Sequence, residues 1–424
     1  MSHSVVLDGT KLNTQQGGFM AWMVCLSAGL FFLYEFFQLN LFDVINFSLS
    51  QDFHLSAAQL SLLSSSYVWA NILFLIPAGL LLDRFSTKRV ILIAFLICVL
   101  ATAGFAMTTQ FWSAFLFHFL AGIGNAFCLL SCIVLISRWF PAERQAFLVG
   151  CVVTMAFMGG VMAHTPLAYL NAHFGWRHAL LIDAAFGVLL LLWLMFMLQD
   201  YPAGVKPDVS SATHKKASFK AALSNSQNIL AGVYIACLNL PIMVLCALWG
   251  SSYLQIVYQF SAVSASSVVS LIFFGSMLGC PLMGWLSDTL GQRKPMMIFG
   301  AIATLLILVP LFVVTSLSVF WLSIIFFSLG LVTSTQVIGY PLITESNRSE
   351  QTGLATAIAS VIIMSVGALG QIIFGLLVKS QALPTPVDFQ RAMWLFPVMT
   401  VVSLVAVSLA KETNCKFIYG KIGE

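Results

Sequence analysis

Glu35 stands in the run Phe31-Phe32-Leu33-Tyr34-Glu35-Phe36-Phe37-Gln38, a carboxyl group among aromatic side chains. An acid at the centre of an apolar helix costs about 2.5 to 3.5 kcal/mol on insertion scales, so such residues usually face a wet cavity and mark function. A carboxyl group so placed can load and release a proton. Its alternative use is structural, paired with histidine or arginine across helices. Gln38 follows one turn on, on a similar face, and Asp43 lies farther along the same segment. His118 and His164 stand in two further apolar segments, at what should be similar depth, where they could share a polar patch. Histidine switches charge near neutrality, which suits a proton relay, and a plain hydrogen-bonded histidine fits the same placement. Glu35, His118 and His164 are the candidate proton-handling residues.

A second group could contact a polar solute: Tyr34, Gln38, Tyr67 and Asn71 in the first half of the chain, with Asn239, Trp249, Gln336, Tyr340 and Gln371 in the second. Asn and Gln also serve as glue between apolar helices, so each has a structural alternative. Asn239-Leu240-Pro241 and Gly339-Tyr340-Pro341 place proline inside apolar segments, where it frees carbonyls and permits bending of the kind found at binding sites and gates. Covalent chemistry lacks support. Gly250-Ser251-Ser252 is no G-x-S-x-G elbow, H-E-x-x-H is absent, and no phosphate-cradling G-x-x-x-x-G-K-[ST] occurs. The nine cysteines show neither disulfide nor zinc spacing, and all but Cys415 lie in apolar segments as packing residues. No metal or cofactor is expected.

The elements that must position these side chains follow from composition. Of 424 residues, 60% are hydrophobic and 8% charged, where soluble domains carry about a quarter charged. Twelve apolar stretches are long enough to cross a bilayer as helices. They fall near 19–48, 57–82, 90–108, 112–137, 146–169 and 178–198, then 228–255, 262–287, 295–315, 318–342, 353–378 and 390–410. Barrel strands would alternate polar and apolar residues, and these segments do not. Residues 1–17 lack the pattern of a cleavable leader. With both termini in the cytoplasm, all of the 19 lysines and arginines except Arg177, Lys379 and Arg391 fall on the inner side. The net charge of +4 therefore reflects topology rather than nucleic-acid binding. The polar stretch Gln199 to Gln227, with Pro202, Gly204 and Pro207, reads as a cytoplasmic linker between residues 1–198 and 228–424.

An internal repeat appears at an offset of about 205 residues. Gly79-Leu-Leu-Leu-Asp83-Arg84-Phe-Ser86-Thr-Lys88-Arg89 matches Gly284-Trp-Leu-Ser-Asp288-Thr-Leu-Gly-Gln-Arg293-Lys294, and Phe53-His54-Leu55-Ser56-Ala57 faces Tyr258-Gln259-Phe260-Ser261-Ala262. The expected architecture is an all-α membrane protein with twelve transmembrane helices in two pseudo-symmetric six-helix bundles.

A glycine one turn before an acid, followed by basic residues between two spans, resembles the signature loop of the major facilitator superfamily, and it occurs twice. The resemblance implies alternating access. It also implies gating roles for Gly79, Asp83, Arg84, Gly284, Asp288 and Arg293, in which the acid pairs with arginine and caps a neighbouring helix N-terminus. Ser86 departs from the glycine usual at its place. His118-Phe-Leu-Ala-Gly122-Ile-Gly124 resembles the family's arginine-then-glycine segment with histidine for arginine. Tyr34-Glu35-Phe36-Phe37-Gln38, Pro77 to Thr87, and Tyr340-Pro-Leu-Ile-Thr-Glu345 resemble the phagosomal nutrient transporters of Legionella-type bacteria. That likeness implies uptake of amino acids or nucleosides, with siderophore movement among relatives; joined to the acid at Glu35, the expectation is proton-coupled import of a small polar metabolite such as an amino acid, across a bacterial inner membrane. The expected partners are the solute, protons and lipid, and the expected unit is a monomer. Export of a siderophore or other metabolite, or nutrient sensing without flux, would keep the same fold.

Overall fold

A computed structural model describes residues 18–140, 142–202, 219–314, 316–378 and 384–416. Among them every regular element is a helix. The first half comprises α1 (Phe19–Asn40, then Phe42–Phe53 after Leu41), α2 (Ala57–Arg84), α3 (Thr87–Met107), α4 (Phe111–Trp139), α5 (Ala142–Met162, resumed over 165–174) and α6 (176–197). The second comprises α7 (Ser226–Tyr258), α8 (Ala262–Leu290), α9 (Lys294–Val313), α10 (Val319–Glu345), α11 (Ser349–Leu377) and α12 (Pro386–Leu409). The apolar run Leu148–Met197 is 50 residues long, far beyond the ~20 that cross a bilayer. The chain breaks within it at Gly175, whose φ of 75° is open to glycine, so the run holds two spans and the total is twelve. Only 219–227 and 199–202 of the expected linker lie within the described residues, and Phe219–Ser224 is a short helix.

The repeat is visible at the level of single turns. His54 and Gln259, 205 apart, both adopt left-handed backbone, with φ of 53° and 57°. Each ends its helix, and two residues later Ser56 and Ser261 cap the next one, accepting hydrogen bonds from Gln59 N and Ser264 N. α1 runs five residues beyond its expected end at 48, to Phe53, with Leu49 fully buried in the core that joins the two halves.

Small residues set the helix spacing. A Cβ on Gly122 would stand 2.2 Å from the Tyr67 carbonyl oxygen, and one on Gly159 would stand 2.0 Å from that of Leu33. α4 therefore lies directly on α2, and α5 on α1.

The ends bearing Arg84, Lys88, Arg89, Arg138, Arg293, Lys294 and Arg348 form a basic face; His54, Arg177 and Arg391 mark the opposite face. At the opposite face one apolar core draws on both halves, joining Phe42, Ile45 and Leu63 to Leu248, Trp249, Phe273 and Phe374. Toward the basic face the core divides into one cluster in each half, with Met243, Ala368 and the partly buried Met364 of the second half reaching across into the first among the described residues. Glycines record the same divergence. Gly375 on α11 presses on Ser61 and Ala57 of α2, and Gly160 on α5 presses on Phe273 of α8. Gly79, Gly353, Gly150 and Gly284, near the basic ends of those four helices, have open space beside them. The halves are closed at the opposite face and parted at the basic one.

Candidate functional site

Two carboxyl groups are buried inside the first bundle. Glu35 is fully buried; Tyr67 on α2 donates from its hydroxyl to Glu35 Oε2 at 2.7 Å and to the Glu35 carbonyl at 2.8 Å. The other carboxyl oxygen, Oε1, has no hydrogen-bond partner and lies against Gly124 of α4, where a Cβ would come within 2.0 Å. Gly122-Ile123-Gly124 thus makes room for Tyr67 and for Glu35 in turn. Asp183 on α6 is the second acid. It accepts from Gln38 Nε2 at 2.5 Å and from the Tyr34 hydroxyl at 3.3 Å. The expectation that Glu35 would face a wet cavity is therefore corrected: it turns inward, because Tyr67 and a glycine offer it a polar seat within the bundle. Tyr34, Gln38 and Tyr67 turn inward with it. Asp183 was not singled out from the sequence, although an acid in an apolar span carries the same signal as Glu35.

A third buried acid lies between the halves. Asp43 in the second segment of α1 accepts through Oδ1 from Ser251 N of α7 at 2.8 Å and through Oδ2 from the Ser251 hydroxyl. His164, at the break in α5, places Nε2 at 3.5 Å from Asp43 Oδ2, both side chains fully buried. One turn along α1, Asn46 donates to the Leu248 carbonyl at 2.5 Å and accepts from Ser252 Oγ at 2.8 Å. Thr165 of α5 and Ser267 of α8 add a hydroxyl pair at 3.1 Å. These bonds latch the opposite face. Ser251 and Ser252 serve there, an assignment that spacing within α7 does not contain.

The expected patch shared by His118 and His164 is not present. His118 lies among aromatic rings, 4.4 Å from Phe42 and 5.3 Å from Tyr67 between centroids, and shares no hydrogen-bond partner with His164. In the second half, Gln371 donates to the Met243 carbonyl at 2.7 Å, joining α11 to a π-helical stretch, Ile242–Trp249, that follows Pro241. A 3-10 turn, Ser334–Ile338, holds Gln336 and precedes Gly339-Tyr340-Pro341. Both expected interruptions are thus places where α7 and α10 leave regular geometry. Asn71 and Gln336 are buried, Asn239 is half-buried, and Tyr340 is 38% exposed, so Tyr340 and Asn239 retain the most access. Trp249 packs tilted against Phe374 and edge-on against Phe389 at the opposite face, beside a vestibule of about 660 Å³.

The basic face carries the doubled loop. Arg293 pairs with Asp288 at 2.5 Å and with Glu345 at 2.7 Å, and Thr413 donates to Glu345. The N-terminus of α9 is capped by Glu412, which accepts from Arg293 N and Lys294 N at 2.9 and 2.7 Å. In the first copy Asp200 takes the equivalent place, accepting from Lys88 N at 2.8 Å and Ser86 Oγ at 2.5 Å. The expectation that Asp288 would cap a neighbouring helix is corrected: acids following the last helix of each half do so, while Asp288 engages Arg293. The side chain of Asp83 lies outside the described residues; Arg84 is exposed.

A family model described as the Major Facilitator Superfamily matches residues 24–371 and 253–414. The membrane sensor protein UhpC of Salmonella typhimurium is 24% identical over 66% of this chain and 67% of its own length. The probable galactarate/D-glucarate transporter GarP of Escherichia coli is 23% identical over 78% and 82%. Among solved structures, a bacterial homolog of the human lysosomal transporter Spinster, described as inward-facing and unoccupied, superposes with a TM-score of 0.77 at 18% identity, covering 95% of this chain and 98% of that one.

Proposed function

Because this chain belongs to the Major Facilitator Superfamily, we propose that it is a secondary transporter importing a small neutral or zwitterionic metabolite with protons, by alternating access. The observation that carries this reading is the charge inside the membrane. Glu35, Asp43 and Asp183 are buried in the spans, whereas among the described residues every lysine and arginine lies at a helix end or in a connection. Three acids without a fixed cation suit proton loading. They disfavour a dianionic solute such as the diacids in the name of the GarP relative, because a buried anion needs a partner of opposite sign. An amino acid, whose own ammonium group offsets its carboxylate, meets that condition.

The basic face is taken as cytoplasmic, in keeping with the retention of lysine and arginine on that side during insertion, which places both termini inside. The parted basic ends then correspond to an inward-open state of a monomeric unit in a bacterial inner membrane. Glu35 is the proposed coupling acid, with His164 at the latch, and Asn239 and Tyr340 are the proposed solute contacts. His118, ringed by aromatics, is assigned a lesser part in coupling.

A thermal-shift screen of purified protein identifies ligands, since a ligand bound only by the native state raises the melting temperature. Vesicles with an imposed inward proton gradient then test flux. Accumulation of a neutral or zwitterionic hit supports the reading, and accumulation of galactarate alone overturns it. The UhpC relative, called a sensor, motivates a second reading; binding with no flux under any gradient would favour it.

A further inference from the structure

We propose that Asp43 and His164 form one proton-binding site, in which a single shared proton holds the two halves together at the opposite face. The inference deepens the proton-coupled reading, and it is tested without solute, so its failure and the failure of coupled import are separate results.

The tautomer follows from geometry. His164 Nδ1 lies 2.7 Å from the Gly160 carbonyl, which can only accept, so Nδ1 carries a hydrogen. In the neutral ring Nε2 is then a bare lone pair, buried without a hydrogen-bond partner and facing Asp43 Oδ2 at 3.5 Å. A lone pair facing a carboxylate is repulsive. One proton, on either group, converts the contact into an imidazolium-carboxylate pair or a hydrogen bond from a carboxylic acid to nitrogen. Asp43 is at the same time the acceptor for Ser251 N and Oγ on α7. The group that needs the proton is thus also the group that ties α1 and α5 of one half to α7 of the other.

The surroundings add no fixed charge to the pair. α7 contributes Cys246, whose thiol is the other titratable neighbour and whose backbone carbonyl is a further acceptor beside the imidazole, and α8 contributes the ring of Phe273, 5.5 Å from the imidazole. Along α1, Asn46 is neutral. Among the described residues Asp43 has no other cationic side chain within 4.0 Å. Loss of the proton leaves a net negative, repulsive pair in the interface, and separation of the halves at this face lets water reach it. The closed face should therefore bind the proton more tightly than the open one. By linkage a single proton changes the ratio of closed to open by at most about tenfold per pH unit.

The test places spectroscopic labels, through bioorthogonal residues, at Trp112 and Val387. These two exposed positions lie on different halves at the opposite face, and the full chain is held in lipid nanodiscs. The label separation is expected to be short at pH 5 and to lengthen toward pH 8, with a slope of no more than one proton. Asp43→Asn keeps an acceptor for Ser251 and supplies an N–H to His164, so it should hold the face closed at every pH. Ser251→Ala leaves the slope intact but moves the ratio about tenfold toward the open form by removing a hydrogen bond to a charged group. A wild-type separation independent of pH, a two-proton slope, or a wild-type slope in Asp43→Asn would each overturn the proposal. Should Asp43→Asn fail to fold, an unshifted ratio in Ser251→Ala does so instead.

Discussion

Gln38 on α1 donates to Asp183 on α6 at 2.5 Å, and Tyr34 donates to the same carboxyl oxygen from one turn earlier on α1. A carboxyl group on one helix thus holds two donors of another inside a low-dielectric bundle. Removing the acceptor orphans the Gln38 donor and leaves Tyr34 only the Asp183 backbone carbonyl at 3.3 Å, and a buried orphan costs about 1 to 3 kcal/mol. Asp183→Leu is expected to lower the melting temperature of the purified protein by several degrees. Asp183→Asn, which retains an oxygen acceptor, should cost less than half as much. Equal melting temperatures for the leucine variant and the wild type would show that the contact contributes nothing.

Glu35 accepts from Tyr67 and leaves its other oxygen unpartnered beside Gly124. Glu35→Gln preserves an acceptor for Tyr67 in nearly the same volume while removing the exchangeable proton. Solute counterflow, which needs no gradient, should stay within about twofold of wild type, whereas accumulation driven by a pH gradient should fall at least tenfold, corresponding to ~1.4 kcal/mol or more. Undiminished gradient-driven accumulation in this variant would remove Glu35 from the coupling mechanism.

Periodicity and charge carried much of this architecture. The spans, the repeat at His54 and Gln259, and the departures from regular helix near Pro241 and Pro341 are all local properties, legible because a helix and its ends depend on nearby residues. Glu35 was legible as an acid in an apolar run, and Asp183 was equally so by the same rule. What neighbouring residues do not encode is which way an acid turns. Glu35 turns inward because Gly124, 89 residues later, leaves the space, and Asp43 meets Ser251 across 208 residues. The capping acids Asp200 and Glu412 follow the last helix of each half, so their role appears only once that helix has returned to the face where α3 and α9 begin.

Glycine positions separate packing from open space. A Cβ on Gly159 would lie 2.0 Å from the Leu33 carbonyl oxygen, a backbone atom that cannot step aside, whereas Gly150 on the same helix has nothing within 4 Å. Gly159→Ala is expected to destabilise by about 1 to 3 kcal/mol through overpacking. Gly150→Ala should be neutral or stabilising by up to about 1 kcal/mol, because alanine is the better helix former. Thermal unfolding of the two variants side by side decides the matter, and similar losses in both would contradict the open basic end of α5.

Glu412 supplies the pH test of the basic face. Burial alone would push its carboxyl group up, but the backbone N–H groups of Arg293, Asn414, Lys294 and Thr413 prevail and hold it below the usual carboxylate range. A group whose folded value is depressed contributes stability that is present above the unfolded value, about 4.3, and is lost as pH falls through the folded value. The contribution is that of a helix cap, about 1 kcal/mol, trimmed by solvent screening at this half-buried position. Glu412→Ala should therefore lower the melting temperature by a degree or two at pH 7. The gap between variant and wild type should close as pH is taken well below 4, where the wild-type carboxyl group is itself protonated. A gap that persists unchanged into that acid range would mean that Glu412 acts through packing rather than through its charge at the start of α9.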